Sequence, residues 1–420
     1  MEIPQRRPRK KTPKVSIRLI VASAVLILCA VLIFSLSQRE PAPNDPTVST
    51  TLPTQGTTPT TDATQATDAT DATEPVDTNT TVIHYAAAGD LNVNEKTVAA
   101  GDASGFTNAF LDVAHLLAKA DVASVNFEGN LCGEPYGAGG SAPQALAEAM
   151  GSMGIDLVQM ANSYSINKGI SGLATSLNGI EAAGMEPVGA YATNKAFKAS
   201  KGYTIKNVQG VRIAFIAFTK GMDGMALPVG SENCVNVLYA DYDSAYQVVD
   251  TQKITSIIDA AKRENPDIIV TLLHWGSEFN NTISTTQQTI VDLLRANDLD
   301  AIIGTHSHYV QKVDFDPETG KVLAYSLGDF FSDASRSGSE YSIVLDLEIT
   351  KNNKTGEAKI TNCTYTPIFT VAEENKPLKV VRIHETMAAY EIGYLDKVSP
   401  ETYAKMQYAL QRIEARVAGE

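Results

Sequence analysis

The stretch DIIVTLLHWGSEFNNTISTTQQTIVDLLRANDLDAIIGTHSH, residues 267–308, predicts how the rest of the chain is organised. It reads as a strand, a polar loop, a helix and a second strand. The first strand runs into His274, and the second runs into His306 and His308. In open α/β sheets, ligands bind outside the carboxyl ends of the strands. Three of the six histidines in the chain are therefore expected at one ligand-binding edge.

The H-x-H spacing suggests a metal site. If the backbone stays extended through residues 305–309, the side chains of His306 and His308 point the same way and can face one ion. Neutral imidazole is a common ligand of zinc, iron and related metals. A single histidine is more often an ordinary core or surface residue. The pair together with His274 favours a metal site.

The amino terminus has the pattern of a membrane anchor. Residues 1–18 carry a net charge of +6, and LIVASAVLILCAVLIFSL follows at 19–36. At about 1.5 Å per residue, such a run is just long enough to cross a hydrocarbon core of about 30 Å as a helix. The positive-inside rule keeps the basic tail in the cytoplasm and sends the rest outside. We expect a single-pass anchor at 19–37, in the cell membrane, with the carboxyl-terminal part extracellular.

A cleaved signal peptide is the alternative to an anchor. The apolar run exceeds the usual 7–15 residues, and Gln38-Arg39-Glu40 offers no small-x-small cleavage site, so the anchor is favoured. Residues 38–81 are rich in Thr, Pro, Asp and Ala, a composition that cannot bury enough apolar surface to fold. This segment is predicted to be a disordered linker.

Charge and cysteine content exclude some classes of function. The chain has a formal charge of −14, so residues 19–420 carry −20, which argues against binding nucleic acid. Three cysteines follow the anchor, enough for at most one disulfide, and no C-x-x-C motif is present. A disulfide framework or a cysteine-rich zinc site is not supported.

Strands and helices alternate through residues 82–370, which predicts an α/β domain with a mixed sheet or two sheets packed face to face. A carboxyl-terminal extension, 371–420, ends in an amphipathic helix at 400–416. The more specific expectations are a helix at 106–119, a hairpin turned at Gln209-Gly210, a helix at 244–263, a capping box of Ser284 and Gln287, and a strand at 310–315.

Other predicted strands also end in polar side chains. These are Asp90, Glu128, Asn162 and Asp329, each of which has a glycine or serine next to it in the sequence. Carboxylates with imidazoles suit hard to borderline cations, and two such ions can clamp both oxygens of a phosphoryl group. The ordinary alternatives are turn residues and helix caps.

Several motifs, in order, resemble the CapA family of bacterial poly-gamma-glutamate capsule synthesis proteins, whose domain is similar to calcineurin-type metallophosphatases. They are GDLNVN at 89–94, VNFEGNL at 125–131, LLHWGSEF at 272–279, IIGTHSHYVQKVD at 302–314 and YSLGDFF at 325–331. The resemblance implies a four-layer α/β/β/α sandwich of two mixed sheets. It also implies one or two divalent ions (Mn, Fe, Zn or Mg) held by Asp90, Glu128, His274, His306 and His308.

The chain departs from that family at one place. Asn162-Ser163-Tyr164 stands where the family usually has Asn-Asn-His, so Asn162 is a candidate partial substitute as a metal ligand. Tyr164 and His274 are the candidate catalytic residues. Tyrosine, with a reference pKa of about 10, donates hydrogen bonds but shuttles protons poorly at neutral pH.

Three functions remain open from the sequence. One is a metal-dependent hydrolase or transferase acting on an envelope polymer or a phosphoester precursor. The second is a non-catalytic component that binds capsule polymer or membrane-bound synthesis proteins, with Lys168 and Lys220 as weak candidates for a basic patch. The third is an unrelated exported metallophosphoesterase.

Overall fold

The computed structural model of the chain describes residues 50–51, 79–394 and 398–420. The predicted basic tail and anchor, and all of the predicted linker except 50–51 and 79–81, lie outside the described residues. Within the described part, no helix combines the length and apolar character that a membrane span requires.

The described residues form fifteen strands and ten α-helices. The strands are β1 (Thr50–Thr51), β2 (Thr80–Asn92), β3 (Val122–Glu128), β4 (Leu157–Gln159), β5 (Glu186–Val188), β6 (Thr204–Val208), β7 (Val211–Thr219), β8 (Ile268–His274), β9 (Ala301–Thr305), β10 (Val313–Asp316), β11 (Lys321–Ala324), β12 (Asp329–Phe331), β13 (Tyr341–Asn352), β14 (Ala358–Val371) and β15 (Lys379–Arg382). The helices are α1 (Glu95–Ser104), α2 (Phe106–Phe110), α3 (Ala114–Ala118), α4 (Gln144–Ser152), α5 (Gly169–Ala182), α6 (Asn194–Ser200), α7 (Thr251–Lys262), α8 (Thr285–Ala296), α9 (Ile383–Glu391) and α10 (Pro400–Ala418).

The strands form two mixed sheets, as expected. The larger has the order β1-β14-β13-β2-β3-β4-β5, with β12 beside β2 and β15 beside β14. In it β2 to β5 run parallel, whereas β13 and β14 are antiparallel to their neighbours. The smaller has the order β10-β11-β9-β8-β7-β6, with a parallel centre of β11, β9, β8 and β7 and an antiparallel strand at each edge.

The two sheets pack face to face around the main core. Tyr85 of β2 meets Phe215 of β7 edge to face, with ring centroids 5.2 Å apart, and both side chains are fully buried. The outer face of the smaller sheet is covered by α7 and α8, whose buried isoleucines and leucine form a second apolar cluster with β7 and β8. Apolar burial of this kind is the main stabilising term in folding.

Several local predictions are confirmed. The hairpin of β6 and β7 turns at Gln209-Gly210, where both residues have positive φ. Ser284 and Gln287 form the capping box of α8. The last helix spans Pro400–Ala418, with Ser399 as its N-cap.

Other local predictions are wrong. The helix predicted at 106–119 is two short helices, α2 and α3. The helix predicted from 244 begins only at Thr251, because Asp241 accepts backbone hydrogen bonds from Gln247 and Val248 and holds that segment in a loop. The strand predicted at 310–315 begins at Val313. The helix α1, with an Asn94 capping box, was not predicted.

The three cysteines within the described residues are Cys132, Cys234 and Cys363, and all are free thiols. Burial raises the pKa of each thiol. A raised pKa disfavours the reactive thiolate. Cys234 and Cys363 are buried in the core, whereas Cys132 is half-buried.

Candidate metal centre

The candidate site lies where the carboxyl ends of strands from both sheets meet. Asp90 and Glu128 are in the last residues of β2 and β3 of the larger sheet. His274 is the last residue of β8 in the smaller sheet, and His306 follows β9. The backbone N–H of His306 donates to Asp90 Oδ2 at 2.9 Å, which joins the two sheets at this edge.

Six side chains converge as two groups of three. Glu128, His274 and His306 form one group, and Asp90, His308 and Asp329 form the other. Within each group the potential ligand atoms lie within 4.8 Å of one another, and all six residues are buried. The five residues implied by the family resemblance are thus brought together, and Asp329 joins them as a sixth.

The H-x-H segment does not have the extended backbone that the spacing suggested. β9 ends at Thr305, and His306 and His308 have φ values of 87° and 59°. Positive φ is uncommon for residues other than glycine and marks a turn. Because of this turn the two imidazoles enter different groups, with ring centroids 6.2 Å apart.

The carboxylates are held where negative charge is unfavourable. Burial, aided by the charge of Asp329, raises the pKa of Asp90 to about 6. Burial also raises the pKa of Glu128 well above its usual value, and the charge of Asp90 adds to this effect. Three buried acids in one place need protons or cations to offset their charge.

The three imidazoles respond differently to the same surroundings. Burial lowers the pKa of His274 and His306 well below the usual value, so both rings are neutral at pH 7. Burial also opposes a charge on His308, but the carboxylate of Asp329, 2.7 Å from His308 Nδ1, outweighs it and raises the pKa well above the usual value. Neutral imidazole is the form that binds metal.

A divalent cation fits this set of donors. Among the described residues, His306 Nε2 is a buried nitrogen with no hydrogen-bond partner. Buried polar atoms without partners are rare and costly, and this one belongs to a residue that is grouped with the Glu128 carboxylate and the His274 imidazole. Oxygen and imidazole donors suit Mn²⁺, Fe²⁺, Zn²⁺ or, with more oxygens, Mg²⁺.

Asn126 connects the two groups, and the sequence reasoning missed it. Its Nδ2 donates to Asp90 Oδ1 at 2.6 Å and to Glu128 Oε1 at 3.2 Å. Its Oδ1 accepts from Asn162 Nδ2 at 3.1 Å. Because side chains two apart on a strand share a face, the N-x-E spacing was the available signal.

Asn162 acts within the protein scaffold. Its Nδ2 also donates to the Phe127 carbonyl at 2.7 Å, and its Oδ1 accepts from the backbone N–H of Tyr164 at 2.9 Å. With both ends of the amide engaged, Asn162 braces Asn126 and the turn that follows β4. Asn162 therefore contacts the two groups through Asn126, and its role as a metal ligand stays a prediction.

Ser163 and Tyr164 approach the centre from that turn. Ser163 Oγ lies 3.2 Å from His274 Nε2. Burial raises the pKa of the Tyr164 phenol, and the charges of Glu128 and Asp329, one from each group, raise it further. The phenol is therefore protonated and lies within electrostatic reach of both groups.

The loop after β8 covers one side of the centre. Phe279 stacks on His308 with ring centroids 4.7 Å apart, and the guanidinium of Arg336 lies 4.1 Å from the Phe279 centroid. Lys220 is partly buried and donates to the Gly276 carbonyl at 3.3 Å. Lys168 contacts the Ala138 carbonyl at 3.5 Å, in a different loop.

Comparisons with known proteins show which family the chain resembles. A family model for the bacterial capsule synthesis protein PGA_cap matches residues 84–334. "Capsule biosynthesis protein CapA" of Bacillus anthracis is 26% identical over 212 residues, 50% of this chain and 48% of that protein. "PGA biosynthesis protein CapA" of Bacillus subtilis strain 168 is 27% identical over 210 residues, 50% of each. The chain thus spans about half the length of these curated relatives.

Among solved structures, the calcineurin-like phosphoesterase YfkN from Bacillus subtilis is 17% identical, with a TM-score of 0.42, covering 80% of this chain and 99% of that one. This similarity is too low to transfer any property of that protein. The family match, by contrast, covers more than half of the chain and includes all six converging side chains. The chain therefore belongs to the bacterial capsule synthesis protein family.

Proposed function

We propose that this chain is an extracellular, membrane-anchored protein of capsule or envelope polymer synthesis whose buried centre holds divalent metal and hydrolyses an ester or phosphoester bond. The observation that carries the metal centre is the pair of three-residue groups, together with the unpartnered Nε2 of His306, a member of one of them. Membership of the family supports the capsule role.

The roles of individual residues follow from their contacts. Glu128, His274 and His306 would hold one ion, and Asp90, His308 and Asp329 a second. Divalent ions in such sites supply Lewis-acid polarisation of the scissile group. Asn126 fixes the orientation of the carboxylates in both groups through one amide nitrogen.

Two aromatic residues would act on the substrate side of the centre. Phe279, stacked on His308, excludes water from one side of that imidazole. The protonated phenol of Tyr164 would donate a hydrogen bond to a developing negative oxygen. Donors aimed at such charge stabilise transition states strongly in a dry site.

The proposal includes an amino-terminal anchor. Its basis is the basic tail at 1–18 followed by the apolar run at 19–36, which the positive-inside rule orients with the tail in the cytoplasm. The expected partners are an anionic envelope polymer and membrane-bound synthesis proteins. Carbonate extraction of membranes and external protease treatment of intact cells test this. A chain released by carbonate, or protected from protease, contradicts it.

A non-catalytic polymer-binding role is the second candidate, and Tyr164 is the observation that favours it. Its raised pKa keeps the proton on the phenol at neutral pH, so it cannot deliver one quickly to a leaving group. In this alternative the centre binds metal and polymer without turnover.

One experiment separates the two candidates. The full chain is titrated with Mn²⁺ and tested on generic phosphoesters, alongside His306→Ala and the control His384→Ala on the remote helix α9. Metal-dependent turnover that is lost only in His306→Ala supports the hydrolase. Mn²⁺ binding without turnover, with activity gained in Tyr164→His, supports the binding role. A chain that binds no Mn²⁺ refutes the metal centre in both.

A further inference from the structure

Ser163, in the Asn162-Ser163-Tyr164 segment of the turn after β4, makes a specific contact. Its Oγ lies 3.2 Å from His274 Nε2, and both residues are buried. On the other side of the ring, His274 Nδ1 lies 3.3 Å from Glu128 Oε1. Each ring nitrogen therefore faces a different polar group.

The contacts of His274 Nδ1 identify the side of the ring that faces the ligand group. Besides Glu128, it has Asn126 Nδ2 at 3.3 Å, and an amide nitrogen can only donate. The ring of His306 is also near, with centroids 4.3 Å apart. Nδ1 is thus the ring nitrogen that faces Glu128, another member of its group.

A neutral imidazole carries one proton, so an unprotonated Nδ1 requires N–H at Nε2. The group that faces Nε2 in this fold is Ser163 Oγ, a hydroxyl that can accept. We propose that Ser163 is a positioning residue: it accepts the Nε2–H of His274 and so holds the ring with its Nδ1 lone pair toward the metal-binding group. Outer hydrogen-bond partners of this kind fix both tautomer and ring orientation.

The same contacts contain a competing arrangement. Ser163 Oγ lies 3.2 Å from one nitrogen of His274, and Glu128 Oε1 lies 3.3 Å from the other. A nucleophilic triad has this connectivity of serine, histidine and carboxylate. Two observations favour positioning. Ser163 is only 3% exposed, whereas a nucleophile must reach substrate. Asn126 Nδ2, which can only donate, lies 3.3 Å from His274 Nδ1, whereas a triad needs a proton on that ring nitrogen.

The inference rests on the proposed metal centre but not on hydrolysis or on a capsule role. Its test uses Ser163→Thr and Ser163→Val, which have the same shape and differ only in the hydroxyl. Mn²⁺ affinity of the full chain is measured for each variant. Loss of an outer partner of a metal ligand weakens binding about 10- to 100-fold, so we expect this loss in the valine variant and near wild-type affinity in the threonine variant.

A matched control is Ser176→Ala, which removes a fully buried hydroxyl on α5 that bonds only to backbone groups. It should leave Mn²⁺ affinity unchanged. Equal affinity of the threonine and valine variants overturns the inference while leaving the metal centre intact. Absence of Mn²⁺ binding in the wild type overturns the proposed function instead. Covalent labelling of Ser163 by a fluorophosphonate in EDTA would identify the triad and overturn positioning.

Discussion

Replacing Asn126 with aspartate tests whether the buried acids of this centre need a cation. The change keeps the shape of the side chain but turns the donor that faces Asp90 and Glu128 into an acceptor. Two hydrogen bonds to carboxylates are lost, each worth about 1.5–3 kcal/mol, and a fourth acid is added to a site that already raises the pKa of three. We expect Asn126→Asp to lower the free energy of unfolding by about 3–6 kcal/mol at pH 7 without metal.

Divalent metal should reverse that loss. A ligand present at 1,000 times its Kd stabilises a protein by about 4 kcal/mol, and an added carboxylate strengthens cation binding. Urea unfolding of the full chain in EDTA and in saturating Mn²⁺ measures both effects. If Asn126→Asp is already unfolded in EDTA, refolding on addition of Mn²⁺ is the measurement.

Asn236→Asp is the matched control. Asn236 is equally buried, and its Nδ2 donates to the carbonyls of Gly202 and Ala217 at 2.9 and 3.0 Å, with no acid involved. This variant should also be destabilised, but Mn²⁺ should not rescue it. Equal rescue of both variants, or an Asn126→Asp chain as stable as the wild type in EDTA, refutes the reasoning.

Three further predictions concern pH, a carboxylate beside the start of α10 and a close backbone contact. The pKa of Asp90 is raised to about 6, so below that pH its carboxyl keeps a proton that a cation must displace. Mn²⁺ affinity measured by calorimetry should therefore fall about tenfold or more from pH 7 to pH 5. A constant affinity contradicts this. Burial opposes the charge of Glu373, but hydrogen bonds from Lys376, Ser399 and Thr402 outweigh it and lower its pKa to about 2. The stabilisation by the ionised Glu373 carboxylate is therefore present above pH 4.5 and lost toward pH 2. In urea titrations, Glu373→Gln should lower the free energy of unfolding by about 1.5–3 kcal/mol at pH 7 and by less at pH 3. An equal loss at the two pH values refutes the assignment. Gly89→Ala would drive a Cβ into the carbonyl oxygen of Gly328. It should therefore separate β2 from the segment that carries Asp329 and abolish the Mn²⁺ binding measured by calorimetry. Retained affinity would disprove the close approach.

The convergence of ligands could be predicted because it depends on strand direction. Parallel strands of one sheet place their carboxyl ends at a common edge, and each strand of interest ends in an acid or a histidine. The strand ends therefore made Asp90, Glu128, His274 and the two histidines after β9 candidates, and the family resemblance selected these five as the ligand set. The capping box of α8 was likewise readable, since both of its members lie within four residues.

Local patterns failed where a distant or polar contact overrides them. The apolar spacing at 106–119 continues through residues 111–113, yet the chain turns there and two helices form. The start of α7 depends on Asp241, whose carboxylate accepts backbone hydrogen bonds six and seven residues later. Neither effect has a helical or strand period that a sequence window can detect.

The sequence by itself determined which residues are available as ligands and at which strand ends they stand, because strand alternation and direction are local properties of the chain. The tertiary structure decided how they are grouped. Asp90 receives the backbone N–H of His306 across 216 residues of chain, Asp329 joins through β12 beside β2, and Asn126 contacts both groups. These contacts arise only when two sheets pack face to face, since packing, unlike periodicity, is set by every element at once.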